Sequence, residues 1–121
     1  MVNRKALFRY AFERYGTDAD YLWPRYPGYA ALRHPGKGGK WYAAIMDVPR
    51  EKLGLEGEGE LDVLNVKARP AQVAALLHEK GFLPAYHMNK VHWVSILLDG
   101  TVPLKKIGEL LDASYALTQR A

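Results

Sequence analysis

Two apolar-rich runs, Tyr29 to His34 and Lys40 to Val48, flank the string Pro35, Gly36, Lys37, Gly38, Gly39, and this arrangement constrains the chain more than any other feature. Runs rich in aromatic and aliphatic residues read as strands, and a short Pro/Gly break between them reads as a hairpin turn. A hairpin fixes its strands as antiparallel, so whatever sheet forms here is built on that pair. A polar, acidic connection from Pro49 to Glu60 leads to a third strand over Leu61 to Lys67. A fourth runs from Trp93 to Leu98 and ends at the turn residues Asp99 and Gly100.

Three helices complete the pattern. Leu7, Phe8, Ala11, Phe12 and Tyr15 recur at helical spacing, with Arg4, Arg9, Glu13 and Arg14 falling elsewhere and Gly16 offering a stop. A second helix is predicted from Pro70 to Lys80, carrying Val73, Leu76 and Leu77, with Pro at its start and Gly81 just past its end. A third opens at Pro103 after Thr101, a candidate cap, and presents Leu104, Ile107, Leu110, Leu111 and Tyr115 to a core. The order helix, three strands, helix, strand, helix predicts an α+β fold: an antiparallel sheet covered on one face by helices, the other face open. Tyr21 to Gly28, too rich in proline for a helix interior, reads as an aromatic connector along the sheet edge.

At 121 residues the chain is expected to form a single domain over 1–121. Cysteine is absent, which removes disulfides, thiolate metal sites and cysteine nucleophiles together. Met1 to Tyr15 is interrupted by basic residues and does not read as a signal peptide, and no apolar run reaches membrane-spanning length, so a cytoplasmic location is expected. Charge is uneven: residues 1–50 hold nine Lys/Arg against four acids, a net +5, and the remainder nets −1. A basic half favours an anionic partner; the plainer reading is a solvated basic surface.

The densest chemistry lies in Tyr86, His87, Met88, Asn89, Lys90, Val91, His92, Trp93, where hydrogen-bonding groups and stacking surfaces crowd together before a strand. The four histidines, His34, His78, His87 and His92, lack a zinc-binding spacing, and neither a nucleophile elbow nor a phosphate-cradling loop is present. No metal, no cofactor and no enzymatic activity are therefore expected.

Several ordered blocks resemble the MmcQ/YjbR family: Gly39 to Ala43 with Ile45 to Pro49; Leu64 to Lys67; Tyr86 to Trp93; Leu98 to Gly100 with Val102 and Pro103; and Ala113 to Tyr115. The resemblance implies a CyaY-like, double-wing α+β domain with DNA as its partner. The frataxin relatives of that fold suggest iron handling through an acidic first helix, but here Glu13 stands alone among four basic residues, which argues against it.

On the DNA reading, the hairpin residues Arg33, His34, Lys37 and Lys40 form one wing, and His87, Asn89, Lys90 and His92 form the other. Against this stands a purely architectural reading in which Asn89 bonds its own loop, Trp93 joins the core and Lys90 lies over a ring. Two further alternatives are a protein-interaction module anchored on Trp23 and Tyr26, and a small-ligand binder or enzyme around His87 and His92. A monomer or weak homodimer is expected.

Overall fold

The computed structural model of the chain describes residues 3–35 and 39–119. Its elements are α1 (Arg4–Tyr15), β1 (Ala30–Arg33), β2 (Trp41–Pro49), a 3-10 helix (Arg50–Leu53), β3 (Glu60–Lys67), α2 (Pro70–Leu76), β4 (Phe82–Pro84), β5 (Trp93–Leu97) and α3 (Leu104–Thr118). The fold is α+β: a five-stranded sheet in the order β1-β2-β3-β5-β4, antiparallel at every pair, with three helices packed against it.

Helix α1 is punctuated at both ends. The Asn3 side chain accepts the Ala6 N–H at 2.9 Å, and Gly16, at φ 69°, ends the helix with Gly16 and Thr17 N–H groups donating back to Phe12 and Ala11 carbonyls. Leu7 and Ala11 are buried as the periodicity predicts, but Phe12 is 57% exposed. Helix α3 buries Ile107, Leu110 and Leu111. These residues meet two cross-strand rows of the sheet: Leu32, Ala43, Val66 and Val94, and next to them Ile45, Leu64, Ile96 and Phe82.

Four expectations need correction. The opposite face is not open: Trp23, Leu53, Leu55, Leu83, Tyr86 and Met88, all from loops and edges, pack over Tyr29, Ala44, Met46, Val48, Val63 and Leu97. The reason lies in β2, where residues of both parities from Tyr42 to Met46 are buried, so both faces of the sheet need cover. The connector supplies part of it by pairing Asp20 with Ala31 at the β1 edge and swinging Trp23 underneath.

A fifth strand, β4, exists where none was read, because three residues ending in Pro84 give too short a pattern. Helix α2 stops at Leu76 rather than Lys80, since Gly81, at φ 93° and tight against Val102, belongs to the turn into β4. Thr101 does not cap α3; its N–H donates to Asp99 Oδ1 at 3.0 Å, closing the Asp99–Gly100 turn, and Pro103 takes the cap position. No described helix is long and apolar enough to cross a membrane.

Candidate nucleic-acid interface

Strand direction decides which segments share an end of the sheet. The β1–β2 hairpin, the end of β3 and the start of β5 all lie at one end, because Arg33 pairs with Trp41, Ala43 with Val66, and Lys67 with Trp93. The described residues of both sequence-predicted wings therefore lie at the same end. Residues 33–35 with 39–42, 66–74 and 84–93, the described stretches gathered there, contain no Asp or Glu. Carboxylates concentrate at the opposite end, where Glu51, Glu56, Glu58 and Glu60 are exposed on the β2–β3 connection.

A bulge shapes this end. Leu32 pairs with Ala43 but Arg33 with Trp41, leaving Tyr42 as an extra residue in β2. Tyr42 turns toward the helices, where its ring meets Tyr15 at 5.4 Å and Tyr115 at 4.9 Å, and burial raises its hydroxyl pKa to about 12. The bulge disturbs the β2–β3 ladder, and the fully buried Ser114 of α3 repairs it: its Oγ accepts the Lys67 N–H at 2.8 Å and donates to the Tyr42 carbonyl at 2.6 Å. Trp41, on the other side of the bulge, turns to the loop-covered face and packs edge-on against Trp23 at 5.1 Å.

The wing before β5 is held by a second buried polar cluster. Asn65 Nδ2 donates to the Tyr86 carbonyl at 3.3 Å, the Tyr86 N–H donates to Ser95 Oγ at 2.9 Å, and Ser95 Oγ donates to Asn65 Oδ1. Asn65 and Ser95 are both fully buried, so these bonds fix the loop against the sheet. Further along, Asn89 Oδ1 accepts the N–H groups of Val91 and His92 at 2.9 and 3.0 Å, and its carbonyl accepts the Trp93 N–H.

The eight candidate residues thus divide. Arg33 forms an ion pair with Asp20 at the β1 edge. His34 Nε2 lies 2.7 Å from Thr118 Oγ1; that hydroxyl already donates to the Ser114 carbonyl, so the imidazole is the donor. The His34 ring also packs beside Tyr115, and burial lowers its pKa. Asn89 is engaged in its own loop as described. Lys37 lies outside the described residues.

Lys40, His87, Lys90 and His92 are exposed, and no carboxylate among the described residues approaches either lysine within 4.0 Å. His87 adopts φ 59° and sets its ring 4.0 Å from Tyr86. Lys90 also borders a cavity of about 270 Å³ whose lining includes Lys52, Leu53, Leu83 and Tyr86. Lys67 and Arg69, at the end of β3, join the same basic surface. Neither was a candidate site residue in the sequence, and the strand register brings Lys67 there.

A separate cluster ties α1 to α3. Asp112 accepts from Arg14 Nε at 2.9 Å, from the Tyr10 hydroxyl at 3.2 Å and from the Tyr15 hydroxyl, while Tyr15 stacks on Tyr115 at 4.3 Å. Burial, then the Asp112 charge and its bond, raise the Tyr15 hydroxyl well above its usual range. Among the described residues no three His, Asp or Glu side chains gather as a metal site would require.

A family model described as YjbR matches residues 13–117, a span that takes in all five strands and every described candidate residue. The chain belongs to the YjbR family. The uncharacterized protein YyaQ of Bacillus subtilis is 46% identical over 119 residues, covering 98% of this chain and all of that one. The uncharacterized YjbR protein of Escherichia coli K12 is 39% identical over 62 residues, 44% of this chain and 52% of its own. A crystal structure of a Pseudomonas syringae protein superposes with a TM-score of 0.92 at 42% identity, covering 96% of this chain and 98% of the other. A Deinococcus radiodurans protein gives 0.77 at 25% identity, with 99% and 80% covered. Membership of the YjbR family accounts for the sequence blocks that include Ser114 and Asn65, and the structure gives those two residues a physical task.

Proposed function

We propose that this YjbR-family chain is a non-catalytic DNA-binding module that meets the phosphate backbone with the basic end of its sheet. One observation carries the reading: three segments distant in sequence converge at that end without a single carboxylate among them, while Lys40, Lys67, Arg69 and Lys90 lie there with His87 and His92. Phosphate binding requires unpaired cations on one surface; Asp18 and Asp20 border a hollow with Arg33 and His34, where Asp20 is paired with Arg33, and neither comes within 4.0 Å of Lys40, Lys67 or Lys90. Arg33, His34 and Asn89 serve this surface indirectly, by holding the segments that present it.

Four phosphate-facing cations predict that the logarithm of the association constant for a duplex falls with the logarithm of salt concentration at a slope of about −3 to −4. Lys40→Glu combined with Lys90→Glu removes two contacts and adds repulsion, so affinity falls by more than about tenfold and the slope flattens by about 2. Fluorescence anisotropy of a labelled duplex between 25 and 200 mM salt, on the order of the range where counterion release dominates, measures both. Failure to bind at the lowest salt ends the proposal.

A second reading rests on Tyr21, Leu22 and Tyr26 of the connector, which are 58%, 40% and 51% exposed and could anchor a protein partner. Recovery of one stoichiometric partner lost on Tyr26→Ala supports it; a partner retained by that variant counts against it.

A further inference from the structure

The last cross-strand row on the loop-covered face has an order of its own. Asn65 and Ser95 project to that face, where both bond Tyr86, so by strand alternation Lys67 and Trp93, two residues on in β3 and two before in β5, project there as well. The bulge at Tyr42 returns Trp41 to the same face, against Trp23. Without the bulge, the alternation that puts Ala43 under the helices would also put Trp41 there. The row therefore reads Trp41, Lys67, Trp93 across β2, β3 and β5: aromatic, cation, aromatic. All three side chains are only partly buried, and no carboxylate among the described residues lies within 4.0 Å of Lys67. Adjacent strands are about 4.8 Å apart, so the two tryptophans stand on the order of 10 Å apart with Lys67 on the strand between them.

From this row we infer that the basic end binds unpaired bases: Trp41 and Trp93 are stacking platforms for two nucleobases of a single DNA strand, and Lys67 holds phosphate between them. The inference rests on the DNA reading above and specifies its form. A duplex hides the faces of its bases and can use only the cations, whereas a single strand can use cations and indoles together. The flanking residues suit the same occupant. Lys40 and Lys90 continue the positive path on either side of the row, and His87 and His92 add exposed imidazole rings on the Trp93 side. Lys40, Lys67 and Lys90, with no carboxylate among the described residues within 4.0 Å, supply the charge complementarity that an anionic strand needs.

Three 12-nucleotide probes separate the possibilities: a fluorescein-labelled oligothymidylate, a duplex of the same length, and an abasic strand with the same phosphate number. The expected result is that the oligothymidylate binds about tenfold more tightly than the abasic strand, binds more tightly than the duplex, and quenches the intrinsic tryptophan fluorescence. Trp93→Ala is expected to weaken oligothymidylate binding by about tenfold while leaving the abasic strand unchanged, a split that general damage to the fold would not produce. Should that variant fail to fold, quenching and the abasic comparison on the unaltered protein decide the matter. Equal affinity for the abasic strand, or tighter binding of the duplex, overturns the stacking inference and leaves the phosphate-binding reading in place. Absence of binding to all three at low salt removes both.

Discussion

Ser114 shows how one side chain can hold a sheet irregularity in place. Its hydroxyl stands between two backbone groups that the bulge separates, and being fully buried it has no water to replace it. Ser114→Ala leaves the Lys67 N–H and the Tyr42 carbonyl without partners, so unfolding in urea is expected to show a loss of about 2–4 kcal/mol, the sum of roughly 1–3 for each orphaned group less some relaxation. Ser114→Thr keeps the hydroxyl and should lose less. His34 supplies the pH-dependent counterpart. Its folded pKa lies below the ordinary value, so the folded state resists protonation and the unfolded state does not. Stability is complete above about pH 6.5, the ordinary imidazole pKa, and declines as pH falls below it. His34→Gln, which retains a donor toward Thr118, is expected to flatten that decline when midpoints are compared at pH 7.5 and 5.5. Neither role was legible in the sequence. Ser114 stood only in a block shared with the family and His34 within a basic cluster, and nothing in their neighbours names a partner so far along the chain.

At the scale of elements, the sequence located every long one. Helical periodicity marked α1 and α3, apolar runs marked β2 and β3, and the Pro/Gly string marked the hairpin, because each of these signals is local and repeated. The elements it missed or misjudged are those whose existence depends on neighbours. Three-residue β4 is a strand only because β5 lies beside it, and the loop-covered face is closed only because Trp23, Tyr86 and Met88 arrive from separate connections. The α1–α3 contact belongs to the same class: Asp112 lies off the apolar stripe of α3, yet it receives Arg14, Tyr10 and Tyr15 from the other helix. Asp112→Ala is expected to cost about 1–3 kcal/mol by thermal or chemical unfolding, since it strands the Tyr15 hydroxyl in a partly buried position. Replacing Arg14, which is more exposed than Asp112, should cost less.

Over the whole molecule the charges are arranged end to end. The nine residues of β2 span about 30 Å, several Debye lengths at physiological salt, so Glu60, paired with Pro49 at its far end, is screened from Lys40 at the other. Changing Glu56, Glu58 and Glu60 together to Gln is therefore expected to alter DNA affinity less than about threefold at 0.15 M salt. The Lys40/Lys90 reversal should act far more strongly in the same anisotropy assay. Composition and periodicity by themselves determined the class of fold, the helices, the hairpin and a surplus of positive charge in the first half, since each depends on residues near one another in the chain. Only the tertiary structure decided which charges stand together and which way Trp41, Lys67 and Trp93 point. Those facts follow from strand register and from one extra residue in β2, and register is set by packing between segments rather than by the residues of any one of them.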